Sequence, residues 1–68
     1  MTDTARNVMR VLREIGFVEV RAAGSNRIFK RGDMMIPVPY HPGDLNRKTF
    51  HRTLKQAGLS VDEYLALR

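Results

Sequence analysis

At 68 residues the chain is long enough for one core and too short for two, and a domain of this size buries only about 60% of the surface its unfolded chain exposes. It has no cysteine, which excludes disulfides and thiolate metal sites and leaves packing and local signals to stabilise the fold. The formal net charge of +5 directs attention to an anionic partner: nucleic acid, an acidic protein or a membrane surface.

The opening "MTDTARNVMRVL" mixes Asp3 and arginines among its apolar residues, so neither a secretory apolar region nor a membrane span is read there. A soluble, cytoplasmic protein is expected, with residues 1–68 forming a single domain. From Asp3 to Ile15, Val8, Met9, Leu12 and Ile15 recur at helical spacing, while Arg6, Arg10, Arg13 and Glu14 fall mostly on the other side. Thr2 or Thr4 is placed to cap this helix. Gly16 suits the left-handed position after its last turn, with Phe17 beyond it packing back on the helix end.

From Phe17 to Val38 the pattern changes to short β-rich runs, "FVEVRA", "NRIFKR" and "MMIPV", separated by Gly24-Ser25 and Gly32-Asp33. Connectors this short join antiparallel neighbours, which predicts a three-stranded meander. Pro37 cannot donate to a ladder, so the third strand lies at an edge or ends there. Met34, Met35 and Ile36 are read as core and sheet packing, with an exposed edge offering a partner strand or loop a docking place.

"PVPYHPGDLN" is a rigid, non-helical crossing because each proline fixes its own φ and biases its predecessor toward extended backbone. A helix follows from about Asn46 to Ala57, with Phe50, Leu54 and Ala57 facing inward and Arg47, Lys48, Arg52 and Lys55 largely outward. Gly58 stops it. In "LSVDEY", Ser60 and Glu63 form a capping box and Leu59 and Tyr64 stand at the staple positions, which starts a short last helix through Leu67. The fold class is α+β: helix, three-stranded antiparallel sheet, helix and short C-terminal helix, sharing one core with the helices on one face of the sheet.

Between Arg21 and Lys55 the bases are Arg21, Arg27, Lys30, Arg31, Arg47, Lys48, Arg52 and Lys55, against only Asp33 and Asp44, so the basic excess is regional. Arg27, Lys30 and Arg31 read equally as a solvated strand face or as phosphate contacts. The charges of the second helix read as a solvated face or as a surface for RNA or an acidic partner. His41, in the proline-rich loop, is suited to bonding the loop, to positioning a substrate or to serving as a base. His51 reads as surface, and two isolated histidines do not make a metal site. Tyr40 and Phe29 read as structural rather than as a base-stacking platform.

Three segments, "LREIGF", "GSNRIFKR" and "VPYHPGDLNRKTFHRTLKQAGLSVDEYL", together resemble the HicA toxin family of bacterial and archaeal toxin–antitoxin systems over nearly the whole chain. The resemblance implies a fold like the double-stranded-RNA-binding domain and a cofactor-free mRNA interferase, one that cleaves RNA without a metal. The partner it implies is a HicB-like antitoxin encoded beside it. It also implies a catalytic histidine where the family's second strand opens Gly-Ser-His, which in this chain is Gly24-Ser25-Asn26.

An imidazole can take the proton of a ribose 2′-hydroxyl near neutral pH; a carboxamide cannot. Asn26 thus keeps the position and forfeits the base. The intact remainder of the signature favours a histidine replaced on purpose, so that a toxic protein could be made, over a natural family member that has lost or rerouted its base. The expected site comprises Asn26 at the catalytic position, Arg27, Lys30, Arg31, Lys48 and Lys55 as RNA contacts, and Gly24, Ser25 and His41 in support. A non-catalytic RNA-binding module is the alternative that the missing base motivates.

Overall fold

Each element expected above is present in the computed structural model, which describes residues 1–68. They run α1 (Ala5–Glu14), β1 (Val18–Ala23), β2 (Asn26–Arg31), β3 (Met34–Pro39), α2 (Arg47–Ala57) and α3 (Val61–Leu67), an α+β fold. Of the two threonines suited to cap α1, Thr4 does so, its side chain accepting from the Asn7 N–H. Thr2 instead donates to the Leu45 carbonyl at 2.7 Å, and the Leu45 N–H donates to the Asp3 carbonyl at 2.8 Å. The segment before α1 is thereby stitched to the loop before α2.

The sheet is the expected meander, with strand order β1-β2-β3 and antiparallel neighbours. Both hairpins turn through two residues, Gly24-Ser25 and Gly32-Asp33, and in each the glycine comes first, with φ of 62° and 60°. A glycine at the first of two turn positions gives the backbone twist that matches paired strands, and a side chain there would be strained. Residues opposite one another share a face. Phe29 pairs with Ile36 and Arg27 with Val38, and Phe29, Ile36 and Val38 join the core with Val8, Val11 and Leu12 of α1 and Phe50 and Leu54 of α2. The opposite face carries Asn26, Ile28 and Lys30 of β2 beside Pro39, Pro37 and Met35 of β3.

Two apolar runs are more exposed than their composition suggests. Met34 and Met35, expected in the packing, remain 45% and 46% exposed, and only Ile36 of that run is buried. They sit at the end of an edge strand, beside the Gly32-Asp33 turn, beyond the reach of the helices. In β1, Val18 and Val20 lie outward while Glu19 takes the position opposite Phe29. A register shift between Glu19 and Arg21 leaves Val20 as the bulged residue, and Glu19 bridges Arg13 of α1 at 3.2 Å and Arg27 of β2 at 3.1 Å. The ion pairs, together with the bulge, set which side chains β1 turns toward α1.

Asn46 caps α2 through the Lys48 N–H, and Gly58 ends it in the left-handed region at φ 76°, the conformation that favours glycine after a helix. The capping box of α3 is complete: Ser60 Oγ accepts from the Glu63 N–H at 3.1 Å, and a Glu63 carboxylate oxygen accepts from the Ser60 N–H at 2.9 Å. A seven-residue helix has few internal bonds with which to sustain itself. Ser60→Ala is therefore expected to lower the stability of the protein by about 1 kcal/mol, read as an earlier midpoint in urea.

The inner end of α3 is held by an inserted ring. Tyr64 is fully buried and meets the Phe50 ring edge-on at 5.1 Å between centroids. Its hydroxyl donates to Asp3 at 2.7 Å, and the same carboxylate receives Arg68 Nε at 2.6 Å, Asn7 Nδ2 at 2.9 Å and the Thr4 N–H at 2.7 Å. Burial raises the Asp3 pKa, but the hydrogen bonds from Asn7, Tyr64 and Thr4 and the charge of Arg68 outweigh it and leave the carboxyl below its ordinary value. Burial and the same carboxylate push the Tyr64 hydroxyl well above the usual tyrosine value.

Candidate functional site

Asn26 is the first residue of β2, directly after the Gly24-Ser25 turn, and it is half-buried. It opens onto a cleft of about 210 Å³ between the end of β3 and the side of α2, lined by Asn26, Pro37, Pro39, Thr49, Arg52, Thr53 and Gln56. The two β3 prolines lend rings to its wall and no N–H. The four α2 residues stand at i, i+3, i+4 and i+7, the spacing that puts side chains on one helix stripe. The cleft therefore joins one carboxamide from the sheet to a polar stripe holding one guanidinium.

The structure distributes the expected site residues unevenly. Lys30 is exposed and four residues beyond Asn26 on the same sheet face. Lys48 and Lys55 are exposed on α2 but do not line the cleft; Arg52, one turn from each, does. Arg27 points to the other side of β2, where it pairs with Glu19 and lies over the Tyr40 ring at 4.6 Å. Arg31 is five residues from Asn26, about 17 Å along the strand; it donates to the Ile15 carbonyl at 2.7 Å and covers the Phe17 ring at 4.5 Å. Its guanidinium closes the end of α1.

Ser25 is brought to the loop by its backbone, since the Tyr40 N–H donates to the Ser25 carbonyl at 2.8 Å. His41, next along, lies in a second cleft of about 360 Å³ with Thr4, Arg6, Tyr40, Pro42 and Gly43. His41 Nδ1 is 3.2 Å from the Pro42 carbonyl, the loop-bonding arrangement, while its ring remains exposed. Phe29 is wholly buried and unavailable for stacking on a base. His51 is exposed and meets the Phe50 ring edge-on at 5.3 Å. No three His, Cys, Asp or Glu side chains gather into a set that could hold a metal ion, and no helix is long and apolar enough to cross a membrane.

Thr49, Arg52, Thr53 and Gln56 were missing from the expected site, although a signal for them exists. All four polar side chains recur with the period of one helix stripe, beside the inward Phe50–Leu54–Ala57 stripe. Periodicity analysis directed at apolar residues passes over such a stripe because solvated helix faces look the same. Its significance comes from Asn26, Pro37 and Pro39 closing the other side.

The family model for the HicA toxin of bacterial toxin–antitoxin systems matches residues 5–59. This chain belongs to the HicA toxin family. A search among curated proteins found no match. The HicA match takes in α1, the whole sheet, the proline-rich loop and α2, and so every residue lining the Asn26 cleft; it ends before α3. HicA toxins are mRNA-cleaving toxins, and a toxin of a toxin–antitoxin pair implies an antitoxin partner.

Proposed function

We propose that this chain is a HicA endoribonuclease whose catalytic position is occupied by Asn26, leaving it able to hold RNA and impaired in cutting it. The observation that carries the reading is the place of Asn26, at the mouth of a polar cleft inside the segment matched to the family. The element order, helix, three-stranded antiparallel sheet and helix, is the one expected of a double-stranded-RNA-binding-like fold. Single-domain organisation over residues 1–68 and a cytoplasmic site of action belong to the same reading.

In metal-independent RNA cleavage the 2′-oxygen attacks the adjacent phosphorus once a base has taken its proton, and the 5′-oxygen leaves and is protonated. The products are a 2′,3′-cyclic phosphate and a 5′-hydroxyl. In this site Arg52 holds the phosphate at the cleft, Lys30 takes another phosphate further along the strand on the same sheet face, and Thr49 and Gln56 bond ribose or base edges. Lys48 and Lys55 attract the flanking strand, while Arg27, which the sequence placed among the RNA contacts, is engaged by Glu19 on the other face of β2. Gly24 and Ser25 set the turn that presents position 26. Asn26 donates and accepts hydrogen bonds there but carries no proton in the physiological range. Removing a general base typically costs about 10²- to 10⁴-fold in rate, so the chain is a slow or silent nuclease.

The same faces suit a HicB-like antitoxin of acidic character, whose association a net charge of +5 accelerates. The missing base favours a second reading, a binding module with no chemistry. The test compares this chain with Asn26→His on a defined single-stranded RNA in chelator: cleavage by the histidine form alone supports the nuclease, and binding without cleavage by either supports the module.

RNA held through phosphates is expected to bind in a salt-dependent way, with log K falling by about 0.7 per phosphate for each decade of salt. Lys30→Ala should remove about one such unit and Arg31→Ala none, because Arg31 lies on the other face of β2 with its guanidinium bonded to the Ile15 carbonyl. Fluorescence anisotropy across a salt series measures both, and equal slopes for all three proteins would remove Lys30 from the interface.

A further inference from the structure

We infer that the second cleft is a ribose-phosphate subsite through which this chain distinguishes RNA from DNA, with Arg6 holding a phosphate and His41 Nε2 accepting a hydrogen bond from a ribose 2′-hydroxyl. The inference rests on the reading that the chain binds RNA.

His41 is polarised by its own loop. A carbonyl oxygen only accepts hydrogen bonds, so the Nδ1 contact with the Pro42 carbonyl at 3.2 Å places the proton of the neutral ring on Nδ1. Nε2 then carries a free lone pair, and no protein group bonds it. The ring is exposed and lines a cleft of about 360 Å³, within the size range of small-ligand sites. Across that cleft stands Arg6, exposed and in none of the ion pairs. A guanidinium that donates to phosphate and an imidazole nitrogen that accepts from a hydroxyl thus line one cleft, the two groups that a ribonucleotide backbone requires.

The cleft is held in place before any ligand arrives. The loop between β3 and α2 is stiffened by Pro39 and Pro42, and its first residue is tied to the β1–β2 turn by the Tyr40 N–H to Ser25 carbonyl bond at 2.8 Å. Its far end is tied to the start of the chain through the Leu45 N–H and Asp3 carbonyl. Arg27, itself paired with Glu19, lies over the Tyr40 ring at 4.6 Å and helps to fix it. Pro39 lines the Asn26 cleft and its neighbour Tyr40 lines the second one, so the two clefts share a stretch of wall. The 2′-hydroxyl is the group by which a protein tells the two nucleic acids apart at a given position.

The test is anisotropy of a short oligouridylate, its 2′-deoxy counterpart and its 2′-O-methyl counterpart, each titrated with this chain in chelator. RNA is expected to bind about 3- to 10-fold more tightly than either of the others, the worth of one net hydrogen bond, because the methyl ether can accept but cannot donate. His41→Phe should erase the preference, and Arg6→Ala should weaken all three strands alike. Equal binding of RNA and DNA by the parent chain, or a preference that survives His41→Phe, overturns the subsite while the RNA-binding reading stands. Failure of the parent to bind any strand at low salt removes both. Equal binding of the RNA and its 2′-deoxy and 2′-O-methyl counterparts by the parent chain needs no substitution to overturn the subsite, even if a variant folds poorly.

Discussion

Asn26→His is expected to turn a protein that binds RNA into one that cuts it, raising the cleavage rate by about 10²- to 10⁴-fold in the presence of chelator. The position supports the chemistry: it is half-buried, begins a strand and opens into a cleft of about 210 Å³ that Arg52 also lines. A histidine there titrates near neutral pH, so an appreciable fraction is unprotonated and able to take the 2′-hydroxyl proton. A cationic neighbour also stabilises the charge that grows on the phosphorane oxygens. Products ending in a 2′,3′-cyclic phosphate, growth arrest on expression and rescue by the cognate antitoxin are the expected signs. If the histidine form binds as the parent does and yet leaves the RNA whole, the catalytic assignment of position 26 fails and the binding module takes its place.

Asp3→Ala should give the largest loss of stability among the polar substitutions, about 3 kcal/mol at pH 7. The change removes acceptors used by Tyr64, Arg68, Asn7 and Thr4 and leaves the Tyr64 hydroxyl unpartnered in the core. A chain of this length has about 3–10 kcal/mol of total stability, so the variant would approach the edge of folding. The pH dependence provides a second check. The folded carboxyl titrates below the ordinary value of 3.8, so its contribution is fully present above that value. It declines as pH falls through the lower folded value, when the folded state must take up a proton. The gap between parent and Asp3→Ala in urea denaturation should be constant from pH 7 to 5 and narrow only below about pH 4. A gap that is absent at pH 7 would mean that α3 is held by Tyr64 packing alone.

Much of this molecule is local in origin. Caps and breakers act over three or four residues, which is why Gly58, the Ser60–Glu63 box and the two glycine-led turns could be read with their positions. The alternation into α, three β and α follows from hydrophobic period and connector length. Asn26 was singled out for a different reason: by the resemblance, the Gly-Ser-Asn triplet corresponds to the family's Gly-Ser-His, and the chemical incapacity of a carboxamide follows from its structure.

Other properties depended on which segments meet. Val18 and Val20 turned outward because Glu19 finds arginines on α1 and β2, partners 6 and 8 residues away. Arg31 and Lys30 look alike in a basic run, yet one is consumed by the Ile15 carbonyl and the Phe17 ring while the other stays free on the Asn26 face. Asp3 read as a mere break in an apolar stretch, and it became the acceptor for Tyr64 only when a contact 61 residues long closed the fold. The sequence by itself determined the order of elements and their ends, and it marked Asn26 as the position of the proposed base, since each depends on nearby backbone and side-chain chemistry. Only the tertiary structure decided which charges are free, which polar stripe of α2 faces Asn26 and that His41 shares a cleft with Arg6, because those follow from packing between residues that no local pattern connects.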